Sequence, residues 1–162
     1  KPETAVAFDQ LLGLFRPQSP MEKLGAQVIR VDSYEPGYEG ANAVDGDPAT
    51  LWHTRWTDEK PSHPHEIQIE LARPTALKGI TYLPRQDGNP NGWIREYAVF
   101  VSNSLNQWGE LTAEGEFERT SGKQTISFPE PVAGRYVRLL ARKGFEEDTF
   151  SSIAEIVLIV GQ

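Results

Sequence analysis

The sequence predicts an all-β sandwich, and three observations predict it. Short runs alternate apolar and polar residues, most cleanly Glu66-Ile67-Gln68-Ile69-Glu70-Leu71, as half-buried strands do. Turn formers punctuate the runs, with 14 Gly and 12 Pro in the chain. Helical periodicity is confined to the first twenty residues. A length of 162 residues with 38% hydrophobic residues suits one domain around one core.

In chain order, Phe8, Leu11, Leu12 and Phe15 recur at helical spacing until Pro17, and Gln18-Ser19-Pro20 follows. This reads as a short helix and then a linker, so residues 1–22 are assigned to a linker or the tail of a preceding domain, with a helix docked on the module as the alternative. The module itself is assigned to residues 23–162. Further strand runs cover 77–83, 94–102, 123–128, 135–142 and 153–160. In the last, Ala154, Ile156, Leu158 and Val160 alternate with Val157 and Ile159, which suits a central strand. There is no internal repeat and no low-complexity tract. The chain opens Lys1-Pro2-Glu3, which reads as a piece of a longer or processed polypeptide.

Charge narrows the partners. Sixteen Lys and Arg stand against 23 Asp and Glu, a formal charge of −7, which repels phosphate backbones and anionic headgroups. No basic cluster with interleaved aromatics appears, so nucleic acid is a poor partner, and no apolar run approaches a membrane span. Without cysteine there is neither disulfide nor thiolate chemistry. Catalysis is not expected either. Glu146-Glu147-Asp148 are consecutive and point to alternate faces of an extended segment rather than across a cleft. There is no Gly-x-Ser-x-Gly elbow, and His53 has no evident serine partner. His63-Pro64-His65 lacks the acidic or Cys ligands of a zinc site, and His65 is read as opening a strand. Gly88-Asn89-Pro90-Asn91-Gly92 is a turn that precedes no helix, hence no phosphate loop.

Three segments together carry a family likeness: Asn42-Ala43-Val44-Asp45-Gly46-Asp47-Pro48-Ala49-Thr50-Leu51-Trp52-His53-Thr54-Arg55-Trp56, then Tyr82-Leu83-Pro84-Arg85-Gln86-Asp87 with Asn91-Gly92, then Ser152-Ile153-Ala154-Glu155-Ile156. In this order they resemble the coagulation factor 5/8 type C, or discoidin-like, domains, and specifically carbohydrate-binding module family 32. The resemblance implies a galactose-binding-domain-like jelly roll, with a sugar site on loops at one end and a structural cation nearby.

A neutral sugar presents hydroxyls that donate and accept, plus one apolar C–H face, so its site needs fixed polar groups beside an aromatic plate. The resemblance places His53 as the hydroxyl-binding histidine, Arg85 as the arginine bridging neighbouring hydroxyls, and Asn91 as the asparagine that donates and accepts, with Asn89 a competitor for that role. Phe150 falls at the stacking position, with Phe145 in the same loop as its rival, and Trp56 would form the opposite wall. Glu35 would add an acceptor. Trp52, directly after a tight turn, is assigned to the core.

For the cation, Asp45, Asp47 and Thr50 offer closely spaced oxygens of the kind calcium collects, though an Asx turn explains the same residues without metal. The resemblance adds Glu155 and backbone carbonyls of Asn42 and Ala154, and the calcium would be structural. By the same likeness the chain is a monomeric appendage of a secreted, periplasmic or surface-attached bacterial glycan-degrading enzyme. Its partners would be galactose-containing glycans and the catalytic domain of its parent. Two rivals share the fold: adhesion to a protein or membrane surface, and a scaffold with a degenerate sugar site.

Overall fold

In the computed structural model, residues 17–161 are described. The helix expected over Phe8, Leu11, Leu12 and Phe15 lies outside them. A one-turn helix, α1 (Pro20–Lys23), precedes eight strands: β1 (Gln27–Val31), β2 (Trp52–His53), β3 (His65–Leu83), β4 (Ile94–Ser102), β5 (Ala113–Glu116), β6 (Gln124–Gly144), β7 (Ser152–Ile153) and β8 (Glu155–Val160). A short 3-10 turn, Gly40–Val44, leads into the loop before β2.

β3 and β6 each merge two runs that the sequence reads as separate strands. The alternation lapses at 72–74 and at 129–131, where both chains are exposed and cross from one layer to the other. Register shifts between Glu70 and Thr75 and between Leu77 and Gly79 absorb the bend. The early half of β3 pairs β1 and the late half of β6, which continues to β4 and β5. The late half of β3 pairs the early half of β6 on one side and β8 on the other. The halves close over a shared core that includes Ile67, Ile69, Leu71, Leu77, Ile80 and Ile126. Each such side chain contributes on the order of 1.5–3 kcal/mol through burial. This is the jelly-roll sandwich expected.

Trp52 is 1% exposed, and its Nε1–H donates to Ser33 O at 2.9 Å, so the assignment to the core holds. β8 differs from expectation. Among the described residues it pairs only β3 and is an edge strand, with Val160 47% exposed. Its second apolar face, Val157 and Ile159, is only partly buried, and α1 packs against the strand. Met21 is 2% exposed, and the Leu158 N–H donates to its Sδ at 3.4 Å, closing one open group of the edge. Ser19 and Glu22 cap α1 reciprocally, with Pro20 at its start. Met21, which the sequence reading leaves in the linker, thus belongs to the core.

Candidate functional site

β7 organises the site. It pairs β2 so that His53 lies opposite Ser152, while Thr54 N–H donates to Ser151 O and Ser151 N–H returns to Thr54 Oγ1 at 3.1 Å. On its other side Ser152 N–H donates to Gly92 O at 2.7 Å and Ser152 Oγ to Asn91 O at 3.0 Å. Two buried serines therefore stitch the loop after β2 to the loop before β4. Gly92 has φ +86, and a Cβ there would sit 2.8 Å from the Ser152 backbone N, so both conformation and contact require glycine. Asp148 fixes the third loop: its carboxylate accepts from Gly92 N at 2.6 Å and Phe150 N at 2.8 Å. Tyr82 acts as a strut, its buried hydroxyl accepting from Ile94 N and donating to Ser152 O at 3.3 Å.

These ties bring His53, Trp56, Arg85, Asn91 and Phe150 around one cavity of about 410 Å³. Asn89 lines it too, so both asparagines weighed from sequence are present. The Trp56 ring meets His53 nearly edge-on with centroids 4.7 Å apart, and Phe150 approaches His53 at 5.2 Å. Tyr38 packs on Trp56 at 5.2 Å. An imidazole is thus held between aromatic walls.

Its protonation follows from its partners. His53 Nδ1 lies 2.6 Å from Thr54 O, a group that only accepts, so Nδ1 carries the hydrogen and Nε2 of the neutral ring is a bare acceptor. Burial, and then the Arg85 cation, lower its pKa against the pull of the Thr54 carbonyl, which favours that neutral form. Arg85 is 8% exposed and clamped by Asp87 through Nε (3.0 Å) and Nη2 (2.6 Å), with Nη1 on Asn91 O at 3.4 Å. Three of its five N–H donors are used, and two remain for a ligand. The site sets an acceptor beside donors at the foot of an aromatic cleft, which suits a hydroxyl that must give one hydrogen bond and receive another.

Glu35 does not line the cavity. Its carboxylate accepts from Trp56 N (2.9 Å), Thr57 N (3.0 Å) and Thr57 Oγ1 (2.5 Å), so it shapes the turn that presents Trp56 and has little capacity left for a ligand. Those hydrogen bonds, the Thr57 hydroxyl first, hold its carboxyl below the usual range.

The proposed cation residues gather at a second corner. Asp45 accepts from the Thr50 hydroxyl in a short contact and from Asp47 N at 2.9 Å. Asp47 turns its own carboxylate to Ala49 N. Asn42 spends its amide on Leu51 O and Gly37 O, which leaves its backbone carbonyl as the group available to an ion. Glu155 faces Asp45, yet its Oε1 is buried without a hydrogen-bond partner among the described residues. Burial and then the adjacent Asp45 push the Glu155 carboxyl up to about 8. Asp45 is held below the usual range although burial opposes it, by hydrogen bonds with Glu155 and Thr50. Among the described residues no three His, Cys, Asp or Glu side chains are grouped to hold a metal. A cation here would draw on two carboxylates, the Thr50 hydroxyl and carbonyls such as that of Ala154. An orphaned, buried carboxylate oxygen facing a second carboxylate fits such an ion.

Residues 27–156 match the F5/8 type C domain. The chain belongs to that family. This F5/8 type C domain is 36% identical over 129 residues to a galactose oxidase of Gibberella zeae, covering 79% of the chain and spanning 19% of that protein's length. Its structural neighbours include the family 32 carbohydrate-binding module of C. perfringens NanJ, solved in complex with galactose. That module has a TM-score of 0.74 and 28% identity, over 86% of this chain and 95% of the other. A second Clostridium perfringens module of family 32, solved with GalNAc-β-1,3-galactose, gives a TM-score of 0.74 and 27% identity over 83% and 95%. The domain is a non-catalytic carbohydrate-binding module of the discoidin type.

Several residues of the domain's cavity escape the sequence reading. Tyr38 and Lys60 line it, and Asp87, Asp148, Ser151 and Ser152 hold its walls in place. Asp87 carried a signal, two residues beyond Arg85 in a turn, where a short acid can chelate a guanidinium. Lys60 carried none. His65 opens β3 as expected, and its ring lies between Asp32 Oδ2 (2.7 Å) and Thr149 O (2.6 Å), outside the cavity.

Proposed function

We propose that this module grips the terminal galactose-type residue of a glycan (galactose, N-acetylgalactosamine or lactosamine) and so concentrates a larger glycan-degrading enzyme on such surfaces. The observation that carries the reading is the bare His53 Nε2 beside the spare N–H groups of Arg85. In galactose the axial O4 projects away from an apolar face running from C3 to C6. With that face on Trp56 or Phe150, O4 donates to His53 and accepts from Arg85, while Asn91 or Asn89 serves a neighbouring hydroxyl. Glucose directs O4 elsewhere and leaves buried groups unpaired, which costs about 1–3 kcal/mol. The relatives support the choice of sugar, since one was solved with galactose and another with GalNAc-β-1,3-galactose.

Asp45, Thr50 and Glu155, with carbonyls of Asn42 and Ala154, would hold a structural calcium ion, neutralising the facing carboxylates and pinning the early loop to β8. The parent's catalytic domain would be the covalent partner, and the setting extracellular, periplasmic or at the cell surface. Affinity for one sugar is expected in the millimolar to high micromolar range, about −4 to −6 kcal/mol, because a shallow cleft contacts few atoms.

Titration calorimetry with galactose tests the reading. Arg85→Ala and His53→Ala are expected to abolish binding at tens of millimolar sugar, with folding costs of about 1–2 kcal/mol that leave a cooperative melt. Unchanged binding in both variants defeats it. Binding to phosphatidylserine liposomes in place of galactose would favour a membrane-adhesion role.

A further inference from the structure

Phe150, Lys60 and Asn91 line not one cavity but two. The second, of about 450 Å³, lies beyond this shared wall and is not reached by His53, Trp56, Arg85 or Tyr38. Phe145, half-buried like Phe150, and Thr149 supply more of its lining, so it has its own aromatic surface. Asp148 also borders it, but its carboxylate is committed to Gly92 N and Phe150 N and braces the wall. The formal charges there sum to −1, Lys60 and Arg119 against Glu146, Glu147 and Asp148. Arg119 meets Glu146 at 3.4 Å, with both side chains more than half exposed, and Lys60 and Glu147 make no ion pair among the described residues. An excess of one carboxylate disfavours an anion, and with Arg119 and Glu146 already paired the lining suits a neutral ligand, which can hydrogen-bond to either sign.

Ring chemistry links the cavities. C1 and C4 lie across a pyranose from each other, so a sugar whose O4 is held by His53 and Arg85 directs its glycosidic oxygen away from them and out of the first cavity, whose lining the second shares at Phe150, Lys60 and Asn91.

We infer that the second cavity receives the next residue of the glycan, so that the module reads a neutral disaccharide, with Phe150 serving both rings and Phe145 the second. This rests on the reading of the first cavity as a galactose site. More contacts on a preformed surface raise affinity, and a single stacked ring is expected to add about tenfold.

The test is calorimetry on the full chain with galactose, with neutral galactose-terminated disaccharides linked β-1,3, β-1,4 and β-1,6 to N-acetylglucosamine, and with a galactose–glucuronic acid disaccharide. In the unmodified protein at least one neutral disaccharide is expected to bind about tenfold more tightly than galactose. Phe145→Ala should erase that margin while galactose affinity stays within about twofold, a result that also certifies the variant's fold. Equal affinity for galactose and every disaccharide overturns the inference and leaves the galactose site standing. So does a Phe145→Ala variant that loses galactose and disaccharide alike, or a preference for the glucuronic acid compound. Failure of every sugar, galactose included, removes the single-sugar reading first and this one with it.

Discussion

Around the candidate cavity Arg85, Asp148 and Glu35 each end on a partner, whereas at the neighbouring corner Asp45 and Glu155 face one another and Glu155 Oε1 is buried without a hydrogen-bond partner among the described residues. The first region is finished by the protein alone: carboxylates are spent on backbone N–H groups and on one guanidinium, and what remains free is a matched acceptor and donors. The second sets two carboxylates face to face, and on the calcium proposal an ion completes it. A preformed site binds a weak ligand without first paying for its own ordering, and on the calcium proposal the loops that form it are anchored on one side by the ion. If the proposed calcium is bound, the contrast teaches that rigidity in the binding loops is partly borrowed from the cation corner.

The largest expected effect comes from breaking that loan. Saturating calcium at about a hundred times its dissociation constant should stabilise the fold by about 2.7 kcal/mol, and a chelator should remove it. Thermal melts with and without chelator read this directly. Asp45→Asn should abolish the difference, and identical melts for the unmodified protein would mean that the corner closes by sharing a proton instead.

Next in size is Gly92→Ala, which attacks the finished region at its backbone. Positive φ and a Cβ 2.8 Å from Ser152 N combine, so a loss of about 2–3 kcal/mol is expected, together with loss of galactose binding, because Asn91 and Phe150 both hang from that contact. A denaturation midpoint unchanged from the unmodified protein would show that the loop relaxes freely.

A subtler variant separates charge from shape. Asp87→Ala removes the fork that orients Arg85 but leaves the guanidinium in place. Galactose affinity is expected to fall about tenfold, about 1.4 kcal/mol, with little change in the melt, since Asp87 is half exposed. Asp87→Glu should rescue part of the loss. An affinity equal to that of the unmodified protein would mean that Arg85 needs no clamp.

The same contrast explains what could be read in advance. Alternation exposed the strands, and the residues His53, Arg85, Asn91 and Phe150 picked out by the family likeness do line one cavity, because they sit in turns at the same end of the sandwich. The corners where β3 and β6 change layers were read as strand ends, since exposed residues at a bend look like a loop in one dimension. β8 looked central because both its faces are apolar, yet Val157 and Ile159 are only partly buried and the strand lies at the sheet edge. Glu35 was given to the ligand because a carboxylate near an aromatic cleft carries no sign of whether backbone N–H groups already saturate it. Lys60 comes from a distant loop and no local pattern ties it to the site, whereas Asp148 lies two residues before Phe150 but was read only as part of a solvated acidic run.

The smallest expected effect concerns the histidines, which sort by region. In His53 and His63 burial lowers the pKa, so both fold neutral. In His65 burial also opposes the charge, but Asp32 and the Thr149 carbonyl, both acceptors, outweigh it and raise the pKa. The signs therefore oppose. Below the unfolded value near 6.5 the unfolded chain takes up more protons at His53 and His63, so their contribution rises as pH climbs to that value. The His65 contribution is complete below the same value and is lost as pH climbs through its raised folded pKa. Histidine-linked stability should thus crest near pH 6.5, read as the difference between denaturant melts of the unmodified protein and of histidine variants from pH 5 to 9, because Glu155, raised to about 8, adds its own decline over that range. His65→Gln is expected to flatten the alkaline limb alone, whatever it costs in overall stability. If the alkaline decline survives that substitution unchanged, the buried Asp32–His65 pair is not its source. The tie from β3 to the Phe150 loop would then be an uncharged hydrogen bond.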